Sequence, residues 1–123
     1  MFYKIKLILV VCIACMFTYC SKNATLKTNI KVKILAIERT KCCDIHIRST
    51  INKLHENITE HGHCWSSFSN TPSLAIDSFS CMGPLEKKKD FVETITTNPT
   101  TLHIRPYVIS NGCIIYGETK TID

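Results

Sequence analysis

Apolar and polar positions fall into blocks whose period changes along the chain. The first block, Leu7–Tyr19 (LILVVCIACMFTY), is uncharged and mostly apolar and follows Lys4 and Lys6. At 13 residues it is shorter than the roughly 20 needed to cross a bilayer, and it reads as the hydrophobic stretch of a secretory leader. Small residues at Thr18 and Cys20 place cleavage near Ser21, with Ala14 as the other option. Lipid attachment at Cys15 or Cys20 is the weaker reading, because neither follows a good lipobox. No later stretch is apolar enough to span a membrane. The sequence thus predicts a leader over 1–20 and a secreted mature chain.

Beyond the leader the pattern predicts a mixture of strands and helices. Asn29–Glu38 (NIKVKILAIE) alternates Ile30, Val32 and Ile34 with Lys31 and Lys33, the signature of a half-buried strand. Ile30, Ile34 and Ile37 also suit helical spacing. Over Asp44–Ile58, the residues Ile47, Ile51, Leu54 and Ile58 recur at one-face helical spacing, with Arg48, Asn52 and Glu56 opposite. WSSFS and LAIDSFS, within Trp65–Ser80, read as two short strands around a turn at Asn70–Ser73. Pro84 can open a helix over Leu85–Ile95, striped by Leu85, Val92 and Ile95 with Phe91 beside it. Thr96-Thr97-Asn98-Pro99 ends that helix. Asn111-Gly112 between Tyr107–Ile109 and Cys113–Tyr116 is a two-residue hairpin turn.

Charge and cysteine content narrow the chemistry. Loss of Lys4 and Lys6 with a leader leaves 13 basic residues against 10 acidic, a net +3. That is too mild for a nucleic-acid partner and allows weak attraction to glycosaminoglycans, with Lys87, Lys88 and Lys89 as the basic patch. Of the eight cysteines, Cys12, Cys15 and Cys20 fall in the leader. Cys42, Cys43, Cys64, Cys81 and Cys113 remain, an odd number that leaves one thiol free or tied to another chain. Adjacent cysteines close only a strained ring, so Cys42 and Cys43 are expected to bridge distant partners. A small secreted chain uses such staples in place of a large core.

Catalytic and cofactor motifs are absent. His61-Gly62-His63-Cys64 has donors a zinc ion could use, but behind a secretory leader it reads as a polar turn before a bridged cysteine. There is no nucleophile elbow, no Ser-His-Asp order and no glycine-rich phosphate loop, so neither an enzyme nor a cofactor is expected. Asn23 and Asn57 head acceptable glycosylation sequons, whereas Pro99 blocks the one at Asn98.

The cysteine frame resembles that of the CC chemokines. It consists of Cys42-Cys43, then 20 residues to Cys64, then 16 to Cys81, followed by Met82-Gly83-Pro84 and LEKKKDFVETI. The resemblance covers Cys42 to about Ile95. It implies bridges Cys42–Cys64 and Cys43–Cys81 and an α+β fold, with one helix across a three-stranded antiparallel sheet. Residues 21–41 would form an N-terminal segment, 42–95 the chemokine-like domain, and 96–123 an extension with a hairpin. The implied role is a ligand, antagonist or decoy for a seven-helix receptor, divergent and virus-encoded in one version. Lys41, Asp44, His46 and Arg48 would touch the receptor. Cys113 would be a free thiol or the tether to a disulfide-linked partner. Two other secreted classes fit parts of the pattern: a short helical-bundle cytokine, and a disulfide-stapled β-rich binding module or subunit of a larger envelope complex.

Overall fold

The computed structural model describes residues 29–53, 57–85, 87–98 and 100–123. The expected leader, Asn23, and the Leu54 and Glu56 positions of the expected first helix lie outside the described residues. Among the described residues eight strands appear in chain order: β1 Val32–Arg39, β2 Asp44–Ile51, β3 Ile58–Ser66, β4 Ser78–Phe79, β5 Asp90–Thr96, β6 Leu102–Ser110, β7 Cys113–Tyr116 and β8 Lys120–Ile122. Among the described residues there is no helix, so the α+β expectation is overturned and the fold is all-β.

The described regular parts of both expected helices are strands. In Asp44–Ile51 the buried positions are Ile45, Ile47, Ser49 and Ile51, a period of two. Ile47 and Ile51, four apart, satisfy both the helical and the strand period, whereas the Leu54 and Ile58 positions of the helical reading lie beyond the end of β2. β-Branched Ile and Thr pack better on a pleated surface than on a helix. In Asp90–Thr96, Phe91 and Ile95 are buried and Glu93 is half-buried, while Val92 and Thr94 face out. The strand expected at Asn29–Glu38 is present as β1, and the Asn111-Gly112 turn is present with φ of 52° and 76°. Those two positive values make the turn match the twist of the hairpin it joins.

The strands form two antiparallel sheets. One has the order β1-β2-β5; the other has β4-β3-β6-β7, with β8 also paired to β6. The chain crosses between sheets after β2, after β4 and after β5, a Greek-key course through a two-layer sandwich. β6 is the hub of the larger sheet, with β3 on one side and β7 and β8 in succession on the other. Pro106 lies in the middle of β6, where a missing N–H would ordinarily break a ladder. Its carbonyl accepts the Gly117 N–H at 2.9 Å, so its imino side faces the same edge, at the break between β7 and β8. No ladder bond is demanded there.

Two apolar clusters fill the space between the sheets. Ile30, Val32, Ile51, Ile58, Phe91 and Val108 pack one end, and Ile34, Ile45, Ile47, Ile95, Leu102 and Ile104 the other. A third cluster of Cys64, Leu74, Tyr107 and Ile109 lies under the β3–β4 loop. This buried apolar material takes the place of the expected disulfide staple. Cys64 is wholly buried and its thiol meets the Arg105 carbonyl at 3.6 Å. Cys42 and Cys43 stand in the β1–β2 turn, and Cys81 follows β4 beside Tyr107. Cys42, Cys43, Cys64 and Cys81 are thiols, so neither Cys42–Cys64 nor Cys43–Cys81 is formed.

Gly62 carries a packing requirement of its own. A Cβ there would stand 2.5 Å from the Ser80 carbonyl oxygen and 2.7 Å from Ser80 Oγ. The segment after β4 can lie flat on β3 only because position 62 has no side chain. Gly62→Ala is expected to lower stability by about 1–3 kcal/mol through overpacking. Urea unfolding checks this, and an unchanged midpoint would mean that the Ser80 segment yields freely.

Candidate functional site

A buried polar chain crosses the sandwich where the sequence showed only a histidine-glycine-histidine turn. Period two puts His61 and His63 on the inner face of β3 and turns Gly62 and Cys64 outward. His63 Nε2 is 2.6 Å from Ser49 Oγ on β2, and its Nδ1 meets Glu93 Oε1 on β5. Ser80 Oγ donates to the same Glu93 oxygen at 2.6 Å. With Nδ1–H donating to Glu93, Nε2 is left to accept the Ser49 hydroxyl. Phe91 leans against His63 with ring centroids 5.2 Å apart and closes over the group.

Hydroxyl, imidazole and carboxylate in that order are the connectivity of a hydrolase triad. Position decides against that chemistry. Ser49 and His63 are both 0% exposed, inside the core, so no acyl group can reach the hydroxyl. The chain of bonds ties β2 and β5 of one sheet to β3 and the post-β4 segment of the other. A buried polar group left unpaired costs about 1–3 kcal/mol, and here each member satisfies its neighbour. It is an inter-sheet clasp.

His61, two residues earlier, contacts the Gly83 carbonyl through Nδ1 at 2.6 Å and meets Phe91 edge-on at 4.7 Å. Burial pushes its pKa below the ordinary histidine value, and the Gly83 contact opposes this only in part. The zinc reading of His61, His63 and Cys64 is not supported: the two imidazoles are engaged elsewhere and the thiol points to the other face. Burial also pushes the Cys64 thiol up to about 12. Among the described residues no cluster of three or more metal-binding side chains occurs.

Among the described residues a cleft of about 320 Å³ opens at one end of the sandwich. Trp65, Phe68, Ile76 and Asp77 line it from the β3–β4 side, and Asn98 and Thr100 from the β5–β6 side. Both walls are fastened. Ser66 Oγ accepts the amides of Phe68 and Ser69, each at 3.0 Å, and Asp77 Oδ2 accepts that of Ser73 at 2.9 Å. Arg105 reaches the Pro72 carbonyl at 3.3 Å while lying 4.1 Å over the Tyr116 ring, whose hydroxyl accepts the Leu74 amide. Across the cleft, the Thr97 amide donates to the Cys43 carbonyl at 2.8 Å, and Arg39 Nη2 to that of Thr100 at 3.1 Å. On this fastened frame Phe68 is 96% exposed and Ile76 84% exposed.

The residues expected to contact a receptor do not form an extended loop. Asp44, His46 and Arg48 project from the outer face of β2, where Thr96 Oγ1 donates to Asp44 at 2.8 Å and His46 Nδ1 meets Thr94 Oγ1 at 3.2 Å. Lys41 is exposed in the β1–β2 turn near them. Lys87, Lys88 and Lys89 are exposed in the irregular segment before β5 instead of on a helix. Asn57 is exposed just before β3, and Cys113 is half-buried at the first position of β7. None of these enters the cleft. Sequence reading missed Ser49, Glu93, Phe68 and Ile76. The exposed pair had one available signal: two large apolar residues inside a Ser-, Asn- and Pro-rich stretch that cannot be a continuous strand.

No protein-family model and no curated protein matches this chain. Among solved structures it is similar to the sensor domain of the anti-sigma factor RsgI4 of Pseudobacteroides cellulosolvens. The TM-score is 0.59 at 14% identity, over 76% of this chain and 74% of that one. A shorter version of that domain gives a TM-score of 0.55 at 12% identity, over 80% of this chain and 96% of that one. At such identities the likeness is one of fold. With the all-β sandwich it overturns the chemokine resemblance, along with the helical-cytokine and stapled-module readings. The expected receptor, glycosaminoglycan and disulfide-linked partners fall with them. The spacing of Cys42, Cys43, Cys64 and Cys81 is a coincidence of strand lengths.

Two measurements test this account of the interior. A fluorophosphonate probe is expected to leave Ser49 unlabelled in the folded protein, while Ser49→Ala lowers stability by about 1–3 kcal/mol because His63 loses its partner. Labelling at Ser49 would mean the core opens. The second concerns pH. The folded His61 value lies below the free value of about 6.5, so the unfolded chain takes up the proton first and stability falls as pH drops below about 6.5. Thermal melts at pH 7.5 and 5.5 should show this loss, and His61→Gln should reduce it. An equal loss in the variant would assign the acid sensitivity elsewhere.

Proposed function

We propose that this chain is a non-catalytic, extracytoplasmic sensor-type domain that recognises a ligand at the Trp65–Phe68–Ile76 cleft. The observation that carries the reading is the exposure of Phe68 and Ile76 on a wall fastened by five side-chain hydrogen bonds, those of Ser66 (two), Asp77, Arg105 and Tyr116. Large apolar groups left in water on a backbone already fastened in place cost solvation and need little loop ordering on binding, which is the economy of a preorganised site. The polar groups lining it are Asn98, Thr100, Ser78 and Asp77, with the Arg39 guanidinium on the Thr100 carbonyl behind them. The fitting ligand has an apolar face with hydrogen-bonding groups at its edge.

Three further observations support the reading. The catalytic-looking triad is sealed in the core, which favours recognition over turnover. The solved sandwiches it resembles are described as a sensor domain of an anti-sigma factor. Leu7–Tyr19 behind Lys4 and Lys6 fits an export signal, in keeping with an extracytoplasmic domain.

The test is a ligand screen read by amide chemical shifts together with emission from Trp65, the single tryptophan. A binding compound is expected to move the amides of residues 66–78 and 97–100. Phe68→Ser with Ile76→Ser is expected to weaken it at least tenfold, about 1.4 kcal/mol, with melting unchanged. Binding that survives the double substitution, or shifts centred on the outer face of β2, would sink the proposal.

A further inference from the structure

The β1–β2 turn holds a second piece of chemistry, independent of the cleft. Cys42 Sγ and Cys43 Sγ are 2.7 Å apart, closer than two thiols in ordinary contact. The backbone enforces that approach. Cys43 gives its carbonyl to the Thr97 amide at 2.8 Å, Cys42 gives its own to Arg39 Nη1 at 3.4 Å, and the Thr40 amide closes the turn on the Asp44 carbonyl at 3.0 Å. With both carbonyls pinned, the two side chains leave the turn on the same side. Cys42 is exposed and Cys43 half-buried, so a small reagent can reach them from solvent.

The alternatives for this pair are poor. Cys64 is sealed under the β3–β4 loop, and Cys81 stands beside Tyr107 on the other sheet. A tightly held metal ion needs more than two sulfurs, and no cluster of three or more donors exists among the described residues. Neighbouring cysteines were expected to seek distant partners because the ring between them is strained; this turn has already brought the sulfurs together.

We infer that Cys42-Cys43 is a redox modification site, at which a low-molecular-weight disulfide converts the two thiols into a bond between neighbouring residues. The step is a double exchange. One cysteine, as thiolate, attacks the small disulfide, forms a mixed disulfide and releases one small thiol. The adjacent cysteine loses its proton, attacks the protein sulfur of that mixed disulfide and expels the second small thiol. The protein gives up two protons and two electrons, which end on two small thiols. The product closes a ring within one turn and joins no separate elements. Its neighbour holds the Cys43 thiol above the ordinary cysteine range, with Cys42 contact the largest cause, so the pair exchanges faster as pH rises.

The experiment treats the folded full chain with oxidised glutathione, blocks remaining thiols with N-ethylmaleimide, and maps tryptic peptides. Cleavage after Lys41 and Arg48 isolates both sulfurs in one peptide, 42–48. The expected product is that peptide, unalkylated and lighter by two hydrogens. Stable glutathione adducts on 42–48, or a bridge from it to Cys64, Cys81, Cys113 or a second chain, would overturn the inference. Cys43→Ser is expected to accumulate glutathione on Cys42 at least tenfold over wild type, because the resolving thiol is gone. Equal accumulation in the two proteins would overturn it as well.

Discussion

A histidine without access to water holds the two sheets of this domain in register. His63 cannot sit between apolar strands unless both ring nitrogens are satisfied, and its partners come from different elements: Ser49 from β2 and Glu93 from β5. Apolar contacts tolerate sliding, whereas hydrogen bonds of this geometry do not. The clasp therefore fixes how far β3 is shifted along the β2–β5 pair. Ser80 joins through Glu93, and Gly62 lets the Ser80 segment lie close enough to do so. The course of the chain between β3 and β5, including the cleft wall, is tied to that point.

Much of the fold was legible in short-range chemistry. β1 follows from alternation of Ile and Val with Lys, and the β6–β7 hairpin from Asn111-Gly112, whose residues tolerate positive φ. The two false helices arose differently: the first from Ile47, Ile51, Leu54 and Ile58 at helical spacing in a segment rich in β-branched residues, the second from a Leu85, Val92 and Ile95 stripe of which Val92 faces solvent. The site was less legible. That Ser49, His63 and Glu93 meet depends on strand order and register, and no local pattern records either. The chemokine frame shows the converse: cysteine spacing is a one-dimensional pattern that unrelated strand lengths can reproduce, and Cys64 went to the core as a small apolar residue.

The site residues divide by what surrounds them. Groups with demanding hydrogen bonding, Ser49, His63 and Glu93, are spent on architecture. Groups with little local reason to be exposed, Phe68 and Ile76, are left in water on a braced loop. The outer face of β2, with Asp44 and His46 bonded to β5 hydroxyls, is an ordinary solvated sheet face. A catalytic-looking arrangement in the core and an unremarkable-looking loop at the rim thus exchange the roles that their residue types suggest.

The route of the last strand gives the cleft a mechanical neighbour. Leu102 lines the cleft and pairs with Ile122 in β8, and Thr101 Oγ1 donates to Asp123 at 2.8 Å. Val32 and Ile30 belong to the opposite end of the core. Of these two strand ends, only that of β8 abuts the cleft. A force drawing β8 away from β6 would peel this short strand one bond at a time, starting beside the cleft wall.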